Sequence, residues 1–261
     1  MAPEIGKPVF PTEDTEGSSS SPSPTQSPSL FHHSLITSDP DELKFHAAAS
    51  LQLQPSHDHI AAPSSDHLIA SPYNDPLHLL DLKTLEQPSQ LFAKALTILK
   101  PVRDDYATAP YTESLNWQDV FDFLRDLSHA EGYQWTAQHF YVVVFRSRLR
   151  EDVDMSRLHD LDAFSHQEAT ASGGLLKYWF GTKNANRENL ATYETDSADV
   201  GWTGLWRSRG DARLGGTGPW HKRARGAARD LYEQISFTTL KLVVGDGVET
   251  WGIDQWREED E

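Results

Sequence analysis

HFYVVVFRSRL, residues His139 to Leu149, is the stretch on which the reading of the fold turns. Successive side chains of an extended strand point to opposite faces. Phe140, Val142 and Val144 therefore share one side, and Tyr141, Val143, Phe145 and Leu149 the other. Their β-branched and aromatic character favours a strand. A strand apolar on both sides is buried on both sides, so this one is predicted in the interior of a sheet.

Working outward toward the C-terminus, a helix is predicted from about Val153 to Ala171, closed by Gly173-Gly174. LLKYWFG (Leu175 to Gly181) reads as the second strand. NLATY (Asn189 to Tyr193) begins the third, which LWRS (Leu205 to Ser208) completes or resumes. A helix from Pro219 to about Gln234 and a strand ISFTTLKLVV (Ile235 to Val244) follow. The order β-α-β-β-α-β is the split unit of ferredoxin-like folds.

Toward the N-terminus, QLFAKALTILK (Gln90 to Lys100) carries a one-sided apolar stripe, with Ser89 as expected N-cap and Pro101 as stop. A second helix is predicted over Trp117 to about Ala130, capped by Asn116. The first 70 residues hold two Lys, no Arg and runs such as GSSSSPSPTQSPS. Such a segment buries too little apolar surface to offset its ordering entropy. The predicted class is thus α+β: a ferredoxin-like βαββαβ antiparallel sheet at 137–245, a helical extension at 72–136, a disordered Ser/Pro/His-rich tail at 1–71, and an acidic tail at 246–261.

A net charge of −16 argues against nucleic acid as a partner, because phosphates demand a basic face. The absence of cysteine removes disulfides, Cys-ligated zinc and thiol nucleophiles. No apolar run approaches the roughly 20 residues that cross a bilayer, and MAPEIGKPVFPTEDTEG is acidic and proline-broken where a signal peptide is basic and then apolar. A cytoplasmic, or also nuclear, protein without a membrane partner is expected. His32-His33 and His57-Asp58-His59 lack a fixed scaffold, so no metal site is expected there.

With both helices on one side, a four-stranded sheet leaves a second face bare. That face would still carry large residues such as Phe145, Trp179 or Phe180, and Leu240 or Phe237. An apolar patch of that size needs a cover. A second copy of the sheet, giving a homodimer, is the favoured cover; the segment Leu77 to Ala130 is the other, and the two are compatible.

The succession FYVVVFRSRL, HDLDAFSHQEATASGGLLKYWFG, NLATY and LWRSRGDARLGGTGPWHKRARGAARDLYEQ resembles an uncharacterised, UPF-type family of fungal and bacterial proteins over about Pro72 to Val244. GGLLKYWFG and GPWHKRA are its most specific parts. More distantly the chain is similar to the dimeric α/β-barrel superfamily, which includes cofactor-free monooxygenases, haem-degrading enzymes and polyketide cyclases. What the resemblance implies is a pocket between sheet and helices rather than a reaction. In relatives the third strand runs from NLAT into WRS without a break. Here ETDSADVGWTG (Glu194 to Gly204) intervenes, as a surface loop or a gene-model artefact, and the register of Trp206 hangs on it.

Three constellations carry candidate chemistry. On the helix after the first strand, Met155, Leu158, Leu161 and Ala169 form an apolar stripe that Asp162 and Ser165 interrupt, with His159 and His166 on its flanks. Asp162 and His166, four residues apart, are placed to pair as a carboxylate-oriented imidazole base, or else as a surface contact. On the last helix Trp220, Ala224, Ala227, Ala228 and Leu231 form the core stripe, and His221 lies on its flank as a pocket-rim residue or a structural one. The glycine loop before it, in RLGGTGPWHKRAR (Arg213 to Arg225), reads as an anion site on the first-turn amides or as a plain helix start with Pro219 at N1. The missing GK[ST] disfavours a phosphate loop. Arg146, Arg148 and Arg150 form a carboxylate clamp or a solvated strand exit.

The expectation is a small-molecule-binding protein, or a cofactor-free accessory enzyme acting on an aromatic or polyketide-like intermediate in secondary metabolism. Asp162, His166 and His221 are the expected catalytic residues; His159, Tyr178, Trp206 and Trp220 are expected to bind a small hydrophobic or aromatic ligand. No cofactor is expected: the tryptophan and asparagine partners of the iron-ligating histidine in haem-degrading relatives do not align here. The alternative is a non-catalytic protein-interaction module.

Overall fold

A computed structural model describes residues 38, 66–181, 183–191 and 204–258. The predicted N-terminal tail up to residue 65, apart from Ser38, lies outside the described residues, as does 194–203 of the ETDSADVGWTG stretch. In chain order the elements are β1 (His67–Leu68), β2 (Leu80–Asp81), α1 (Gln87–Ala95), α2 (Tyr111–Ser114), α3 (Trp117–Ala130), β3 (Gln138–Leu149) and α4 (Met155–Ser172). Then follow β4 (Leu175–Lys177), β5 (Glu188–Ala191), β6 (Gly204–Trp206), α5 (Arg209–Gly215), α6 (Pro219–Leu231), β7 (Tyr232–Val244) and β8 (Trp251–Gln255). The protein is mixed α+β with antiparallel sheets.

Among the described residues the main sheet has six strands, not four, in the order β4-β6-β3-β7-β8, with β5 also on β3. The doubly apolar stretch lies at its centre: β3 pairs with β7 from Gln138↔Val244 to Leu149↔Tyr232. Two differences from the predicted four strands have physical causes. First, the third strand is two segments along one edge of β3, since Ala191 lies opposite Phe145 and Gly204 opposite Val143. Second, Trp251–Gln255, within the stretch read as a solvated acidic tail, is strand β8 on the outer edge of β7. Its Trp251 ring stacks on Phe121 at 4.8 Å, and that apolar anchor outweighs the acidic residues beyond it.

The sheet face expected to be bare is covered by the chain itself. Phe140, Val142 and Val144 join Leu91, Phe92, Val120, Phe121 and Leu124 of α1 and α3 in one core, with Phe92 on Phe140 at 4.4 Å between ring centres. Each such fully buried side chain contributes roughly 1.5–3 kcal/mol. The covering elements are those of the Leu77 to Ala130 segment, the second of the two covers expected. On the opposite face Tyr141, Val143 and Phe145 pack with Leu161 and Ala169 of α4 and with Ala224 and Leu231 of α6.

Helix ends differ from the reading in detail. α1 starts at Gln87, with Pro88 in its first turn, so Ser89 lies inside the helix and not at its cap. Asn116 precedes α3 as expected, but its side chain accepts from Lys100 N (2.8 Å) and donates to Ile98 O (3.0 Å), tying the helix start to the previous segment. Among the described residues no helix is long and apolar enough to cross a membrane.

Candidate functional site

Helix α4 positions the first candidate residues. Asp154 caps it, accepting from Arg157 N at 3.0 Å, and Gly173 and Gly174 end it at φ 84° and 79°, a region that favours glycine. The helix dives into the protein: Met155 and His159 are exposed, whereas Ser165, His166 and Ala169 are buried. Asp162 sits at the crossing, and there the predicted partnership fails. Its two carboxylate oxygens accept from the hydroxyls of Tyr73 and Tyr178 rather than from His166. Phenols arriving from the 66–82 segment and from the end of β4 bracket the carboxylate first.

His166 meets another histidine. Its Nδ1 lies 2.8 Å from Nδ1 of His78, while Gln167 Nε2 donates to His78 Nε2 at 3.2 Å. A neutral ring has one donor and one acceptor nitrogen, so His78 carries its proton on Nδ1 and His166 on Nε2. Burial holds both imidazoles below the usual histidine range, and for His166 the neighbouring His78 adds to the effect. Tyr73 stacks on His78 at 4.5 Å and leans on His166 at 5.3 Å.

Beside this cluster lies a pocket of about 340 Å³, lined by Phe145, Ser147 and Leu149 of β3, by Met155, Leu158, His159 and Asp162 of α4, and by Tyr73, Tyr178, Phe180, Gly181, Lys183, Asn189 and Tyr232. Its walls are mainly apolar and its polar floor is the carboxylate with two phenols. Burial raises the Asp162 carboxyl, against the phenol hydrogen bonds and His159, which lower it. Burial also raises both tyrosines, followed by the charge of Asp162, so they remain protonated donors. Asn189 adds a buried Oδ1 that has no hydrogen-bond partner among the described residues. The arrangement can hold a mainly apolar molecule and present acceptor oxygens to it.

Of the residues singled out from sequence, Asp162, His159 and Tyr178 line this pocket. The others do not. His166 supports its wall from behind. Trp206 is 0% exposed and packs in the core beneath α4 and α6. Trp220 is half-buried and stacks on Phe164 at 4.3 Å, under the Arg223 guanidinium at 4.4 Å. His221, expected at a rim, is 0% exposed.

His221 turns inward because Glu168 of α4 stands at the start of α6. The Glu168 carboxylate accepts from Trp220 N (2.8 Å), His221 N (3.1 Å) and His221 Nδ1 (2.5 Å). Burial, with Arg225 and His166 nearby, lowers the imidazole and keeps it neutral. The glycine loop therefore does serve an anion, and the anion is the protein's own. A Cβ on Gly218 would lie 2.0 Å from Glu168 Oε2, so the close approach of this carboxylate requires glycine there. Arg146 and Arg148 of β3 and Arg150 just beyond its end do not form a clamp either: Arg146 donates to Ala107 O and Ala109 O, Arg148 pairs with Glu188 at 2.6 Å, and Arg150 with Asp152 at 3.4 Å.

Residues 69–255 match the PB2B2.08-like protein family. UPF0643 protein PB2B2.08 of Schizosaccharomyces pombe is 34% identical over 186 residues, covering 68% of this chain and 79% of that protein. The chain belongs to the PB2B2.08-like family. No solved structure matches it. The family match begins before Tyr73 and ends at Gln255 of β8, so in this PB2B2.08-like protein it spans both walls of the pocket, the Glu168 cap and the outer edge strand.

Proposed function

We propose that this protein binds a small, mainly apolar or aromatic molecule in the pocket between β3 and α4, anchored at Asp162. The observation that carries the reading is a half-buried carboxylate, fixed by Tyr73 and Tyr178, on the floor of an otherwise apolar pocket. Ligand sites typically combine apolar walls with a few placed polar groups, and perturbed titratable groups cluster at functional sites. A carboxyl raised by burial is also suited to take a proton from a bound molecule, which is the role left for Asp162 in an accessory enzyme acting on an aromatic or polyketide-like intermediate. An interaction module would need an exposed apolar sheet face, and the face of Phe140, Val142 and Val144 is occupied by α1 and α3. A ferredoxin-like βαββαβ core of the dimeric α/β-barrel kind is part of the same proposal; the antiparallel run β7-β3-β6-β4 supports it.

The test is ligand-observed NMR with indole, 2-phenylethanol and 2-phenylethylamine against the full chain and against Leu158→Trp, which fills the pocket. Binding of at least one probe that disappears in Leu158→Trp is expected. Failure of all three to bind, or binding that survives the filled pocket, overturns the reading.

A further inference from the structure

Ser147, His159, Lys183 and Tyr232 bring donors to the pocket lining, but the phenols bonded to Asp162 leave only acceptors at the carboxylate itself. Tyr73 and Tyr178 spend their O–H donors on Asp162, so what they offer a ligand is phenol oxygen lone pairs. The carboxylate retains lone pairs of its own, and Asn189 adds a buried Oδ1 without a donor among the described residues. Every one of these atoms is an acceptor.

Charge points the same way. Asp162 takes hydrogen bonds from neutral phenols and forms no ion pair with lysine or arginine among the described residues. Lys183 lines the pocket but lies exposed at its mouth. Three aromatic rings gather at the carboxylate: Tyr73 and Tyr178 with centres 6.4 Å apart, and Phe180 at 6.3 Å and 5.9 Å from them. Ring faces attract cations, more strongly where water is excluded. A carboxylate ligand at Asp162 would meet like charge. An alcohol would satisfy one acceptor and leave the charge uncompensated.

We infer that the pocket selects a protonated amine carried on an aromatic or aliphatic body, with the ammonium at Asp162 and its remaining N–H groups directed to the phenol oxygens and Asn189. The inference rests on the pocket being a ligand site, as proposed above. Burying a charge is tolerable only when it is paired and hydrogen-bonded, and ligand and carboxylate supply that for each other.

Calorimetric titration of the full chain near neutral pH with 2-phenylethylamine, 2-phenylethanol and 3-phenylpropionate separates the possibilities. The amine is expected to bind at least about tenfold more tightly than the alcohol, about 1.4 kcal/mol, with the propionate weakest. Asp162→Asn is expected to abolish the preference by weakening the amine far more than the alcohol. The amine-to-alcohol ratio in the unaltered chain decides the matter even where Asp162→Asn does not fold. Equal or tighter binding of the alcohol or the propionate overturns the amine inference and leaves the pocket reading standing; absence of binding by all three overturns the amine inference, and absence of binding by indole as well removes both.

Discussion

Replacing Glu168 tests how the two helices above the sheet are joined. In Glu168→Ala, the amides of Trp220 and His221 lose their acceptor at the start of α6, as does His221 Nδ1. Loss of a helix cap costs about 1 kcal/mol. The amides sit near enough to the surface for water to replace part of the bond. The imidazole does not, since His221 is 0% exposed, and stranding a buried donor costs about 1–3 kcal/mol more. The sum is roughly 2–4 kcal/mol. With a urea slope of about 2 kcal/mol per M, the unfolding midpoint falls by about 1–2 M, measurable by tryptophan fluorescence. Glu168→Gln keeps one acceptor oxygen but turns an amide donor toward N–H groups, and an intermediate loss is expected. A Glu168→Ala midpoint within experimental scatter of the parent would refute the internal cap and return the helix start to ordinary solvation.

Gly218→Ala forces the same carboxylate away without removing it, and a loss of about 1–2 kcal/mol by the same assay is expected. Phe92→Ala empties the contact between α1 and β3, costing about 3–5 kcal/mol in denaturant unfolding. Stability is expected to fall with acid. A histidine whose folded pKa is lowered takes up its proton in the unfolded chain first, so its contribution is complete above about pH 6.5 and is lost as pH drops. His166 alone accounts for about 1.4 kcal/mol one pH unit below that; His78 and His221 act in the same direction. The raised carboxyl of Asp162 opposes them, because the folded state keeps its proton to higher pH than the unfolded one. A thermal midpoint unchanged between pH 7.5 and pH 5.5 would contradict the buried neutral pair.

The fold was legible where one stretch of sequence contained its own pattern. The two-faced apolarity of His139 to Leu149 identified the central strand, and the Trp117 to Ala130 stripe gave α3 with its ends. β8 was not legible, because the apolar residues of Trp251–Gln255 are few and lie beside a run of acids. At the site, the polar interruption of α4 correctly drew attention to Asp162, since a polar group on a buried face needs a partner. The identity of that partner is tertiary information: Tyr73 is 89 positions away and lies in a turn-rich segment with no period. His78 had a usable signal, a lone polar ring inside the apolar run LHLLDL, and it pairs across 88 positions. The inward turn of His221 could not be seen on a helical wheel, because the carboxylate that draws it in belongs to another helix.

Tyr73 and His78 belong to the first described stretch of continuous chain; Tyr73 lines the pocket and His78 stacks on it from behind. Occupancy of the pocket and docking of residues 66–82 on α4 are therefore two equilibria that share a free energy, and linkage makes the exchange reciprocal. A molecule held at Asp162 would slow protease cleavage within 66–82, and a variant that loosens this strap would weaken binding without touching the ligand.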